Sequence, residues 1–246
     1  MNLNSKLVEQ NQQFWKKLKM IRLRTTTAII ATTLLFTFAT ASAEPAQDFG
    51  PTLIRADSTE KAPGPDGFLQ RWLILEPIHA SGVTDSAVQA MVRTNYFPDQ
   101  FTVIPHDGDK VKAGETELTW HAVETKNYNV NLYHFAHALN KPTSDVLFWA
   151  VTIINCPEEM REVRLAIGSN DASVWWVNGQ EVASLYGDRQ TVIDDAVSKK
   201  LTLKKGPNVI RCAVHNQGGA TDFCARILNA EDKPFTTFTV TVLSEK

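Results

Sequence analysis

Along most of this chain, apolar and polar residues alternate in short runs, and glycine, proline or asparagine separates nearly all of them. A period of two marks strands, whose successive side chains point to opposite faces of a sheet. FLQRWLILEPI reads as a first strand, stopped by Pro77. Further strands are predicted over 101–105, 117–123, 146–155, 162–167, 173–177, 181–185, 199–203, 208–215, 222–227 and 235–243. SAVQAMV, residues 86–92, is the best helical stretch, though short. NLYHFAHAL places Leu132, Phe135, Ala136 and Leu139 at helical spacing, and the pattern leaves open whether a helical turn lies there. Many short strands with almost no helix predict an all-β fold, a sandwich or jelly roll with one short helix.

The sharpest local signal is GSNDASVWWVNGQEVASL, residues 168–185. Asn178-Gly179 suits a two-residue type I′ turn, in which both central residues take positive φ. That register pairs Val177 with Gln180, Trp176 with Glu181 and Trp175 with Val182. Trp175, Val177 and Val182 then share one face, while Val174, Trp176, Glu181 and Ala183 share the other. Trp175 is expected in the core. Trp176 falls on the more mixed face, where an outward ring is free to meet a ligand.

Residues 1–43 carry a different pattern. Lys16, Lys17, Lys19, Arg22 and Arg24 precede an apolar run over 27–39, and Ala41-Ser42-Ala43 follows it. The run is short for the roughly 20 apolar residues of a spanning helix, so it reads as a signal peptide cut after Ala43. Met20 is an alternative start. Residues 44–67 hold Pro45, Pro51, Pro63 and Pro65 and read as an extended, poorly ordered lead-in to a β-sandwich domain at 68–246. The expected product is exported, periplasmic or secreted, with no membrane span left after cleavage. Six of the 25 Lys+Arg and one of the 27 Asp+Glu lie within 1–43, so the mature chain carries 19 basic and 26 acidic residues, a formal net charge of −7. With no basic cluster, nucleic acid is not an expected partner. Export permits disulfides, and Cys212 and Cys224 could face each other across a hairpin closed at 217–220; two small buried thiols are the alternative. Cys156 is left over.

The sequence carries no recognisable catalytic motif. It has no Gly-x-Ser-x-Gly elbow, no Gly-Asp-Ser start and no Asp-x-x-His pair. His134 and His137 would share a face only on a helix, with no carboxylate at ligand spacing. Asp194-Asp195 would diverge on a strand and read as a solvated loop, and DGDK at 107–110 reads as a turn that lacks the further ligands of a calcium loop. No metal site and no cofactor is expected. Sugar binding is better motivated. Apolar sugar faces stack on aromatic rings, and hydroxyls need fixed polar partners. Trp176 offers the ring, Asp188 and Arg189 in YGDRQ offer the rim, and Asn170 in the preceding turn completes the candidate set.

GSNDASVWWVNG, LTLKKGPNVIRCAVHNQGG and FCARI, with FLQRWLILEPI as an opening strand, resemble the galactose-binding-like jelly-roll modules of secreted bacterial polysaccharide-processing proteins. The resemblance covers about residues 68–227. It implies a galactose-binding-like β-sandwich and a non-catalytic carbohydrate-binding or accessory role in plant polysaccharide (xylan-type) breakdown, with other secreted carbohydrate-active proteins as further partners. Asn170 and Ala172 stand where that family has an Asp and a Gly, which removes a carboxylate from any calcium set of the turn. RWLILEP, QFTVIP and VTIINCPEEM also resemble stretches of proteins named acetylxylan esterases. Two rival functions are therefore a carbohydrate esterase and a secreted module that docks another protein.

Overall fold

A computed structural model describes residues 49–82 and 84–242. Contacts divide the chain into Met1–Ala43 and Glu44–Lys246, and every described residue belongs to the second unit. The expected signal peptide therefore lies outside the described residues.

The described chain is mostly strand, with two short helices. In order the elements are β1 (Leu53–Arg55), β2 (Arg71–Leu75), β3 (Ile78–His79), α1 (Asp85–Met91), β4 (Lys110–Ala113), β5 (Thr116–Thr125), β6 (Val130–Asn131), α2 (Leu132–Ala138), β7 (Val146–Cys156) and β8 (Met160–Ser169). They continue as β9 (Ser173–Val177), β10 (Gln180–Leu185), β11 (Ala196–Val197), β12 (Leu201–Leu203), β13 (Gly206–Asn216), β14 (Asp222–Leu228) and β15 (Thr239–Thr241). The larger sheet runs β1-β5-β2-β7-β13-β9-β10, with β3 and β15 also paired to β7 and β4 to β5. The smaller runs β11-β8-β14-β6, with β12 on β8. Pairing is antiparallel throughout, as short connections between consecutive strands favour.

The two sheets enclose the main core. Trp72, Phe148 and Trp175 enter it from the larger sheet and Leu165, Phe223 and Ile227 from the smaller. Trp175 is fully buried, edge-on to Trp72 and Phe223, and its indole N–H donates to Ser173 Oγ at 2.9 Å. The hairpin turn forms as expected, with φ of 49° at Asn178 and 82° at Gly179. Its tip is docked on the neighbouring LKKGPN turn: Asn178 Nδ2 donates to Asn208 Oδ1 at 2.9 Å, and the Val209 amide donates to Asn178 Oδ1 at 3.0 Å. Asn208 in turn accepts from the Lys204 amide at 3.0 Å and donates to the Lys204 carbonyl at 2.8 Å.

Two features depart from the expected hairpin. A β-bulge between Glu181 and Ala183 pairs Trp175 with Ala183 instead of Val182. One extra residue bends the strand, and both Val182 and Ala183 pack against the main core. The larger departure concerns Trp176, which is buried at 6 % exposure. Its face is opposite to that of Trp175, as the period of two requires, but a further layer covers it. α1 and residues 92–103 lay Val88, Met91, Phe97 and Phe101 over Leu73, Trp149, Val174 and Trp176, a second apolar cluster. Trp176 stacks on Trp149 and meets Phe101 edge-on. Two arginines fasten this layer. Arg211 on β13, 2 % exposed, donates to the carbonyls of Phe101, at 2.6 Å, and Val103. Arg93, just after α1, forks onto Glu181 and donates to Tyr186 Oη at 2.7 Å. Trp176 is thus a core residue and cannot serve as an outward platform.

Other expectations are corrected in the same way. Residues 101–105 form no strand, and the carbonyls of Phe101 and Val103 turn to Arg211. NLYHFAHAL is helical: Asn131 caps α2, its side chain accepting from the His134 amide at 2.7 Å, while Leu132, Phe135 and Ala136 face the core. The described part of the lead-in is extended but anchored, with β1 paired to β5 and Phe49 at 1 % exposure. Cys212 and Cys224 stand on strands of different sheets, so 217–220 is a crossover rather than a hairpin, and both thiols are free and buried. Burial pushes the Cys224 thiol up to about 12 and that of Cys212 well above its usual value, which leaves them inert.

Candidate functional site

GSND begins at a glycine for a steric reason. A Cβ at Gly168 would lie 1.9 Å from the Val192 carbonyl oxygen, so only glycine lets the 186–195 loop lie against β8. The loop is then held by its own polar contacts. Thr191 Oγ1 donates to the Asp222 carbonyl at 3.2 Å, Arg189 pairs with Asp195, and Arg226 forks onto Asp194. Asp194 and Asp195 are accordingly partners of arginines and not a solvated pair.

Asp171 takes positive φ, 56°, at the end of the same turn, a conformation that Asp tolerates better than most residues. Its amide donates to the Arg189 carbonyl at 3.4 Å, and its Oδ2 accepts from the Gln217 amide at 3.1 Å. The next residue, Ala172, accepts from the His215 amide at 2.9 Å. On the other side, Thr84 caps α1 by accepting from the Ala87 amide at 3.2 Å, which sets Asp85 in the helix's first turn. Four separate segments thus meet around one cleft of about 280 Å³, and Asp85, Asp171, Asp188, His215 and Gln217 line it, with Gly82, Gly187 and Gly218 bringing backbone to its surface.

The cleft is acidic. Three carboxylates line it and no lysine or arginine does. Burial raises the pKa of Asp171 and the charge on Asp188 adds to the rise, although the Gln217 amide opposes it. His215 is 2 % exposed, and burial lowers its pKa. Its Nε2 has no hydrogen-bond partner. The one hydroxyl side chain that lines the cleft is that of Thr84, which caps α1. Among the described residues, no group of three His, Cys, Asp or Glu side chains is placed to hold a metal ion.

Of the residues singled out from the sequence, Asp188 lines the cleft. Asn170 sits beside it, with its amide committed to the Asp222 carbonyl at 2.9 Å. Arg189 turns away to Asp195, and Trp176 is sealed in the second core. Asp171 stands inside the turn that the sequence marked, yet its role depends on Gln217, 46 positions on. No local pattern marks Asp85 or His215. A second groove, of about 390 Å³, is lined by Pro77, His79, Tyr96, Thr116 and Lys141. It has an aromatic ring, but its cation is spoken for: Lys141 Nζ lies 3.0 Å from the buried Glu76.

No family model matches the chain, and no curated protein matches it. Among solved structures it is similar to a PA14 sugar-binding domain from an RTX adhesin, at 15 % identity over 69 % of this chain and 96 % of that one, with a TM-score of 0.40. The PA14 domain of the antifreeze protein MpAFP gives 14 %, 76 % and 96 %, with a TM-score of 0.41. A β-glucosidase from Kluyveromyces marxianus, solved in complex with glucose, gives 19 % identity over 50 % of this chain and 14 % of that one, at 0.35. All three TM-scores are below 0.5, and the reading of the cleft rests on this chain's own residues.

Proposed function

We propose that the chain is a non-catalytic carbohydrate-binding protein whose ligand sits in the Asp85–Asp171–Asp188–His215 cleft. The observation that carries this is Asp188, a cleft carboxylate with no hydrogen-bond or ion-pair partner among the described residues. Sugar hydroxyls are donors at fixed spacing, and carboxylates spread around one cleft accept from several of them. The glycines at the surface suit close approach of a ring to backbone. Binding here needs no aromatic platform. Its expected place of action is outside the cytoplasm, as the leader at 1–43 implies, in the breakdown of polysaccharides that the sequence resemblance suggests.

Affinity electrophoresis over a panel of soluble polysaccharides, with xylan among them, tests the reading, and acetate release is followed in parallel. At least one polymer should retard the wild type and lose its hold on Asp188→Ala. Retardation that Asp188→Ala leaves unchanged would place the site elsewhere, and acetate release would restore the esterase.

A further inference from the structure

We infer that a separate cleft beside Tyr128 is an accessory carbohydrate site, which stacks one neutral pyranose unit of a polysaccharide whose first contact is the acidic cleft. The inference rests on the carbohydrate reading above and concerns how a long ligand is held.

Tyr128, 42 % exposed, is the most exposed aromatic side chain among the described residues. It stands between β5 and β6 and lines a cleft of about 270 Å³, together with the turn Gly64-Pro65-Asp66-Gly67. Both segments are set by their sequence. Pro65 suits the second position of the turn, which the Gly67 amide closes by donating to the Gly64 carbonyl at 2.9 Å. Thr125 Oγ1 accepts from the Asn127 amide at 3.1 Å and donates to the Asn129 carbonyl at 2.7 Å. Gln70 Nε2 donates to the Asn127 carbonyl at 2.9 Å. The Tyr128 ring meets Phe68 with centroids 5.6 Å apart, and the Arg226 guanidinium lies over Phe68, 5.1 Å from its centroid. A platform held before its ligand arrives loses little freedom on binding.

A single exposed ring needs no explanation. This one shares its cleft with Asp66, Lys126 and Asn127, all exposed. Their side chains make no hydrogen bond or ion pair with any described residue. A carboxylate, an ammonium and an amide offer acceptors and donors beside one ring. The C–H face of a sugar stacks on such a ring, and the hydroxyls at its edge reach such groups. One negative and one positive charge offset each other, and the neighbouring Arg226 is paired with Asp194. The cleft therefore suits an uncharged sugar better than a uronic acid or an amine. A pyranose with equatorial hydroxyls presents flat C–H faces, so glucose-type and xylose-type units fit it.

No residue lines both clefts. Phe68 bridges Arg226 on β14, while Asp222, at the start of that strand, accepts from the Asn170 amide beside the acidic cleft. Those positions are four residues apart, an offset of about 13 Å along the strand. A disaccharide in the acidic cleft is too short to bridge it. A polysaccharide repeats its units and meets both sites, and the second contact, weak alone, then acts at high effective concentration.

The test is affinity electrophoresis of the full chain in soluble xylan and soluble β-glucan, with calorimetry on xylobiose and cellobiose. Tyr128→Ala should weaken the hold on the polymer about tenfold or more, the scale of a lost second contact, and leave disaccharide affinity and melting temperature unchanged. Tyr128→Phe, which keeps the ring, should restore most of the loss. Polygalacturonate should be held less well than either neutral polymer. Wild-type retardation of Tyr128→Ala on a polymer that Asp188→Ala releases overturns the accessory site and leaves the carbohydrate reading standing. Loss of polymer and disaccharide alike in Tyr128→Ala, with both kept in Asp188→Ala, overturns both assignments. Binding of no sugar by the wild type also overturns both.

Discussion

Trp176 stacks on Trp149 with ring centroids 5.4 Å apart and planes 19° from parallel. Its neighbour Trp175 meets Trp72 edge-on at 6.0 Å on the opposite face of the same sheet. Adjacent tryptophans therefore serve two cores, one between the sheets and one beneath α1. Each should cost about 3–5 kcal/mol on truncation to alanine, as loss of a large buried side chain commonly does. Chemical denaturation of Trp175→Ala and Trp176→Ala measures this. A loss under about 1 kcal/mol for Trp176→Ala would mean that the 92–103 layer does not hold in solution.

Gly168 and Val192 are in closer contact than any side chain allows. A methyl at Gly168 meets a backbone oxygen at 1.9 Å, so the 186–195 loop must move outward. Gly168→Ala should destabilise by about 1–3 kcal/mol, the usual cost of overpacking. It should also weaken ligand binding, because that loop carries Asp188. A mutant with wild-type stability and affinity would break the link between the turn and the cleft.

The hairpin was legible because its determinants are local: Asn178-Gly179 sets the turn, and the alternation assigns the two faces. Its bulge was not, since Val182 and Ala183 are both small enough for either face, and packing against the main core decides the register. The burial of Trp176 was hidden for a different reason. Its cover comes from α1 and residues 92–103, where the pattern predicted a strand over 101–105 instead, and it is fixed by contacts far apart in sequence, Arg93 onto Glu181 and Arg211 onto the carbonyls of Phe101 and Val103. The cleft is the extreme case. Asp171 and Asp188 lie in stretches that the sequence marked, but Asp85 and His215 join them only through the docking of α1 and the β13–β14 crossover. Nothing within a few residues of either one announces the site.

Acid should destabilise the fold before its carboxylates titrate. Burial lowers the pKa of both His121 and His215 below the ordinary 6.5. The unfolded chain then takes up protons that the folded one resists, so stability is full above about pH 6.5 and is lost as pH falls through the folded values. The melting temperature should decline from pH 7 towards pH 5, and less steeply in a His215→Gln variant. An identical slope in that variant would contradict a buried neutral imidazole.

Asp171 has the opposite sign. Its folded pKa is raised, so its contribution is fully present below the unfolded value of 3.8 and is lost as pH rises through the folded value. At neutral pH its ionisation is a burden that the fold carries. Asp171→Asn keeps an acceptor for the Gln217 amide and sheds the charge, so melting temperature at pH 7 should hold or rise. Ligand affinity should fall by about 1–3 kcal/mol, the scale of a lost hydrogen bond to a charged group. A fall in both would make Asp171 a structural residue only.

The most direct test of the binding site is a backbone amide map by nuclear magnetic resonance, with the tightest-binding oligosaccharide titrated into labelled protein. Amide shifts should concentrate at Asp85, Asp171, Ala172, Gly187, Asp188, Gln217 and Gly218, the residues that surround the cleft. They should vanish in Asp188→Ala while its spectrum stays folded. Shifts centred instead on Tyr96, Thr116 and Lys141, around the second groove, or confined to no single surface, would contradict the account.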